Sequence, residues 1–183
     1  MRLFFAIVPD QRTKSKIYPL IRKFKDHALG GNFTSIDNLH LTILFIGEVD
    51  EDGRDRLIRI FDTLNFDPFV IKTRQIGFFA NRGSNEILVW HLEPSQELLS
   101  VYESVRMLSE HEGFSFESKH YRPHFTLARK VSFREGFLEK ADLRTVPIIP
   151  MKCERLSLME SLRVEDRLVY REIYGKTMNE TLK

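Results

Sequence analysis

Asn38-Leu39-His40-Leu41-Thr42-Ile43 and Arg122-Pro123-His124-Phe125-Thr126-Leu127 share the pattern His-apolar-Thr-apolar, and the second follows the first by 84 residues (His40 to His124). Alternation of polar and apolar residues predicts a strand at each position. Successive side chains on a strand face opposite ways, so His40 and Thr42 share one face while Leu41 and Ile43 point to the core. The same holds for His124 and Thr126 against Phe125 and Leu127. A single His-x-Thr is usually the half-buried polar face of a strand. Two copies at one fixed offset ask for a common cause.

Working outward, the same offset relates the surrounding segments. Arg2 to Val8 reads as a strand, and Pro9 and Asp10 lead into a helix over Gln11 to Ala28 with Ile17, Leu20, Ile21 and Phe24 at helical spacing. Pro19 is expected to kink that helix, and Gly30-Gly31 to stop it. After the strand His40 to Ile46, a helix is predicted from Asp52 to Leu64, then a strand from Phe69 to Ile76. In the second half, Glu86 to Leu92 is a strand, and Pro94-Ser95 opens a helix to Glu112. His124 to Arg129 is a strand, and Ser132 with Glu135 fits the capping box of a further helix. Ile148 to Glu160 and Arg167 to Tyr174 read as a terminal β-hairpin turning near Glu165 and Asp166. The chain, residues 1–183, is therefore expected to read as β-α-β-α-β twice, with a hairpin extension. It would be built from a duplicated β-α-β-α-β unit (halves about 1–84 and 85–183), forming two pseudo-symmetric lobes with a cleft between them. Whether the strands pair parallel or antiparallel is not legible from element order.

Composition narrows the chemistry. Of 183 residues, 42% are hydrophobic and 30% charged, which suits a folded core. Twenty-eight Lys and Arg stand against 26 Asp and Glu, a net charge of +2 that is too balanced for a protein built to coat a nucleic-acid duplex. Cys153 is the only cysteine, so neither an internal disulfide nor a cysteine zinc cluster is available, and a spectator thiol is expected. The N-terminal apolar run Leu3 to Val8 is too short for a signal or a membrane span, which places the expected protein in the cytoplasm.

Paired His and Thr residues facing one cleft supply what phosphodiester cleavage needs without a metal. Imidazole titrates near neutrality, so one ring can take a proton while its partner gives one, each step worth about 10²- to 10⁴-fold in rate. Threonine hydroxyls donate to non-bridging phosphate oxygens.

These motifs, with Arg2-Leu3-Phe4-Phe5-Ala6-Ile7, Phe45-Ile46-Gly47 and Leu127-Ala128-Arg129, resemble the two-histidine phosphoesterase superfamily, and within it the RNA 2',3'-cyclic phosphodiesterases of the LigT or ThpR type, historically called 2'-5' RNA ligases. The resemblance implies a single α+β domain of two lobes, with largely antiparallel sheets lining the cleft and helices outside. It also implies hydrolysis of a terminal 2',3'-cyclic phosphate to a 2'-phosphate with no metal or other cofactor. It makes His40 the proton donor and His124 the proton acceptor, with Thr42, Thr126 and Arg129 binding the phosphate. The odd offset of Arg129 from His124 turns it from the cleft unless a bulge intervenes. Relatives commonly carry Arg or Trp shortly before the first motif, where this chain has Gly31-Asn32-Phe33-Thr34-Ser35. Phe33 is the one aromatic there that a base could meet, so base preference stays open.

Other histidines are set aside. His120 and His124 have the spacing of a helical zinc pair, but Pro123 breaks any helix between them. His27, His91 and His111 have no partner motif and are expected on the surface. Lys119-His120-Tyr121-Arg122 suits either a solvated strand approach or a phosphate chain with a stacked base. Two alternatives remain beside hydrolysis of RNA ends by a monomer. One is turnover of a small nucleotide such as ADP-ribose 1'',2''-cyclic phosphate or a 2'-5' oligonucleotide. The other is a non-catalytic module that binds RNA ends.

Overall fold

The computed structural model describes residues 1–79, 86–116, 120–135, 137, 143, 146–165 and 167–177. Among these the elements are β1 (Arg2–Ile7), α1 (Gln11–His27), β2 (Ala28–Phe33), β3 (Leu41–Glu48), α2 (Glu51–Thr63), β4 (Phe69–Phe79), β5 (Glu86–Leu92), α3 (Gln96–His111), β6 (His124–Phe133), β7 (Pro150–Cys153), β8 (Arg155–Val164) and β9 (Arg167–Thr177). The fold is α+β, and each strand pairing is antiparallel.

Each helix starts where a side chain satisfies a free backbone N–H. Asp10 accepts from Thr13 N at 2.6 Å, Asp50 from Gly53 N at 2.8 Å and Ser95 from Leu98 N at 3.2 Å. Pro19 sits within α1, which runs on to His27. The apolar stripes Ile17-Ile21-Phe24, Leu57-Ile60-Phe61 and Leu98-Val101-Val105 all join one core with Leu41, Ile43, Phe125 and Leu127. The helices therefore cover one face of the strands, and the motif His and Thr residues are left for the other. β1 buries both faces: Leu3, Phe5 and Ile7 enter the main core, while Phe4 and Ala6 form a second, smaller cluster with Met159.

The strand order is β7-β4-β5-β6-β3-β1-β8-β9, with β2 added on β6. The motif strands β3 and β6 meet at its centre. β4, the last strand of the first sequence half, pairs with β5, the first of the second half. β8 returns from the end of the chain to pair with β1. Each flank of the sheet thus mixes both halves.

Several local expectations change. β2 follows α1 directly where only a helix stop was read. Gly31 makes its pairing possible: at φ +144°, a Cβ there would lie 3.0 Å from the Val131 Cα. Ser132 lies inside β6, opposite Gly30, and caps no helix; the body of that expected helix falls largely outside the described residues. The tail splits at Glu154, because β7 pairs with β4 whereas β8 pairs with β1 and β9. The β8–β9 turn contains Glu165 at φ +47°, as expected; Asp166 is outside the described residues. Cys153 is buried, which pushes its thiol up to about 12 and leaves it unreactive.

Candidate active site

Leu41 pairs with Phe125 where β3 meets β6, and both are fully buried. Antiparallel pairing about that position carries His40 toward Thr126 and Thr42 toward His124, on the face away from the core. Thr42 and His124 line one cleft, His40 is hydrogen-bonded to Thr42, and Thr126 stands half-buried on β6.

The two imidazoles are anchored alike. His40 Nδ1 lies 2.7 Å from the carbonyl of Asn38, and His124 Nδ1 lies 2.7 Å from the carbonyl of Arg122. A carbonyl only accepts, so Nδ1–H is the donor in both rings, and Nε2 is the working nitrogen of each. The Thr42 hydroxyl is 3.0 Å from His40 Nε2 and donates to it when the ring is neutral.

The surroundings differ more than the motifs do. His40 is enclosed by Phe4 at 5.0 Å and by the edge of Tyr170 at 4.8 Å. Burial pushes its pKa down to about 4 against the opposing pull of the Asn38 carbonyl, and the charges of Arg129, His124 and Lys14 push the same way as burial. His124 meets the edge of Phe79 at 4.8 Å, and its pKa is also lowered, first by burial and further by the charges of His91, Arg129 and Arg122. Both rings are therefore neutral in the free protein near pH 7.

A bulge settles the direction of Arg129. Ala128 pairs with Leu88 and Thr126 with Val89, so Leu127 is an extra residue that shifts the alternation of β6. Leu127 and Ala128 are both buried and Arg129 emerges exposed, with its charge felt at both motif histidines and at Tyr170. β3 carries the matching bulge at Ile43, between Thr42 paired with Ala6 and Leu44 paired with Phe5. The position equivalent to Arg129 is there taken by Phe45, which is 47% exposed with the Arg2 guanidinium 5.0 Å above its ring. One motif ends in a cation and the other in an aromatic face.

The cleft encloses about 820 Å³ and is lined by Thr42, Phe45, Phe79, Tyr121, Arg122 and His124 among others. Arg122 lies over the Phe79 ring at 5.0 Å. Tyr121, stacked on Tyr102 at 4.3 Å, donates its hydroxyl to the Thr42 carbonyl at 3.1 Å and ties the approach to β6 onto β3. Asn38 does more than support His40. Its side chain donates to the Leu168 carbonyl at 2.6 Å and accepts from Tyr170 N at 3.1 Å, fastening β9 beside the ring. Neither Asn38 nor Tyr170 was singled out from the sequence. Phe33 packs half-buried against the main core on β2, paired with Ala128.

Comparisons with known proteins give the family and the fold. Residues 7–90 and 92–170 match the model of the LigT like phosphoesterase family. A Thermotoga maritima protein named RNA 2',3'-cyclic phosphodiesterase is 27% identical over 179 residues, covering 95% of this chain and 94% of its own. An Archaeoglobus fulgidus protein of the same name is 32% identical over 133 residues, covering 70% of this chain and 72% of its own. The apo form of E. coli LigT superposes with a TM-score of 0.77 at 21% identity, covering 98% of each chain, a likeness of fold.

Proposed function

The chain belongs to the LigT like phosphoesterase family, and from that premise we propose that it hydrolyses the 2',3'-cyclic phosphate at the end of an RNA strand to a 2'-phosphate. The observation that carries this reading is the matched anchoring of the two imidazoles. Each is held at Nδ1 by the carbonyl two residues earlier, so Nε2 is the nitrogen left to exchange a proton, that of His40 meeting the Thr42 hydroxyl. Binding alone has no use for two rings held in the same way.

In this reading His124 Nε2 takes a proton from water as the oxygen attacks phosphorus. The bond to the 3'-oxygen breaks, and that oxygen leaves with the proton carried on His40 Nε2. The products are a 2'-phosphate and a 3'-hydroxyl. Thr42 and Thr126 donate to the non-bridging oxygens, and Arg129 offsets the charge that builds on them. The acid, the base and the charge compensation all come from side chains, so the step is drawn without a metal.

The depressed pKa of His40 sets a condition on this assignment. In the free protein, a ring whose pKa is about 4 carries its proton only rarely at pH 7. An anionic phosphate beside it favours the imidazolium, so substrate binding recruits the proton that the leaving oxygen needs. The same ring opening with the 5'-hydroxyl of a second RNA end in place of water, its proton going to His124 and the 3'-oxygen leaving with the proton of His40, forms a 2'-5' bond. Water, at far higher concentration than any RNA end, wins that competition, so hydrolysis is the working outcome.

The test is an oligoribonucleotide ending in 2',3'-cyclic phosphate, incubated with EDTA and with wild type, His40→Ala or His124→Ala. Conversion to a 2'-phosphate that both variants lose supports the reading. Absence of conversion by folded wild type overturns the activity, and survival of activity in both variants overturns the site.

A further inference from the structure

A second concavity opens next to the reaction cleft, on the far side of Arg122. It encloses about 240 Å³ and is lined by Arg74, Gln75, His91, His120, Tyr121 and Arg122, with Leu92, Pro94 and Pro123 completing its wall. Two guanidinium groups and two imidazoles meet there, and no carboxylate lines it among the described residues. His120, Tyr121 and Arg122 belong to both spaces.

Local structure presents these groups deliberately. Thr73 pairs with Leu92 and Ile76 with Trp90, so β4 holds one residue too many at Arg74-Gln75 and bulges outward. Trp90 Nε1 donates to the Arg74 carbonyl at 3.0 Å and fixes that bulge from below. His91 is the cross-strand partner of His124, which puts the pocket one strand away from a motif histidine. Its ring is seated on Gly77, where a Cβ would lie 2.6 Å from His91 Nε2. Arg74 and Arg122 both act on that ring, helping burial to depress its pKa, so the positive field converges inside the pocket. A site that is concave, cationic and joined to the scissile position suits one more phosphate of the same strand.

We propose that the pocket formed by Arg74, His91, His120 and Arg122 binds the phosphodiester one nucleotide before the cyclic end, and so makes the protein prefer an RNA strand over a cyclic mononucleotide. The inference rests on the reading of the main cleft as a cyclic phosphodiesterase site. Arg74 and His91 take no part in the chemistry proposed there. Loss of Arg74, which acts on neither motif histidine, is felt at the preceding phosphate, whereas His91 also adds its charge at His124.

The experiment compares kcat/KM for three substrates with one terminal nucleoside: the 2',3'-cyclic mononucleotide, the dinucleotide ending in the same cyclic phosphate, and that dinucleotide with an uncharged methylphosphonate linkage. Wild type is expected to favour the charged dinucleotide and to treat the other two alike. Arg74→Gln is expected to remove about tenfold or more of that preference while leaving the mononucleotide unchanged. Gly77→Ala, which displaces the His91 ring, should act in the same direction. Equal turnover of charged and uncharged dinucleotides by wild type, or an equal loss on all substrates in Arg74→Gln, would overturn the proposal. Failure of wild type to hydrolyse any of the three overturns the parent reading instead. The pocket is then read by binding of a dinucleotide carrying a terminal 2'-phosphate, whose affinity Arg74→Gln should weaken. The salt slope should fall by about 0.7, as for one phosphate contact on a single strand. Unchanged affinity and slope reject the pocket independently.

Discussion

Leu41 and Phe125 are cross-strand partners, and they are also equivalent positions, 84 residues apart. The axis that relates the two motifs passes through this buried pair. The spacing between His40 and His124 is therefore set by apolar packing beneath them.

Phe125→Ala should show that dependence. Loss of a fully buried Phe is expected to cost about 3–5 kcal/mol, and here it removes the joint between β3 and β6. Urea unfolding at neutral pH measures the first effect. Activity is expected to fall well beyond the fraction unfolded, whereas Phe125→Leu should retain most of both. A Phe125→Ala protein with wild-type activity per folded molecule would show that other contacts set the spacing.

The pH profile follows from the two depressed imidazoles. kcat/KM reports the free protein, where both rings titrate below the ordinary value of 6.5. It should be bell-shaped, with its falling alkaline limb below pH 6.5. The profile of kcat reports the complex, where bound phosphate favours imidazolium, so it should be displaced upward. These limbs belong to the coupled pair of rings. A kcat/KM that stays flat from pH 5 to 8 would contradict the proposed chemistry.

Stability carries the same signature. The folded protein holds His40 neutral down to about pH 4, while the unfolded chain protonates it near 6.5. The unfolded state therefore binds more protons between those values, and stability contributed by the neutral ring is present above 6.5 and lost as pH falls through the window. Wild type should lose stability relative to His40→Gln as pH is lowered from 6.5 to 4, read as urea midpoints. Parallel curves for the two proteins would show that the ring is not depressed.

Asn38→Ala should separate the support of His40 from the ring itself. Its side chain bonds to Leu168 and Tyr170 on β9, while its backbone carbonyl still accepts from His40 Nδ1. kcat is expected to fall on the order of tenfold as the ring loses its fixed wall, with KM changed less. Hydrogen exchange at the Tyr170 amide should speed up. Unaltered exchange with reduced kcat would point to a different role for the amide.

The sequence reveals the motif strands, three helices and the terminal hairpin because their polar and apolar positions repeat at strand or helix period. What it hides is irregular. β2 is short and rich in Gly, so it carries no alternation, and it forms only because Gly31 lets the backbone approach Val131. Arg129 has the wrong parity on a regular strand, and the bulge at Leu127 that corrects it leaves no mark in residue type. His91 reads as a surface residue because its significance lies in being opposite His124. The balanced net charge likewise conceals α1, where six Lys and Arg face a single Asp26. Composition averages over positions, and the fold does not.

The strand order has an evolutionary reading. In a lone copy of the repeated unit, β1 would pair with β3 on one side and have no neighbour on the other, because in this chain that edge is taken by β8, from the second half. The reciprocal edge of β5 is taken by β4, from the first. A lone copy could complete its sheet by trading last strands with a twin, as domain-swapped homodimers do. Fusion of two such copies would turn a concentration-dependent handshake into a permanent one and free each motif to diverge, as Phe45 and Arg129 now illustrate.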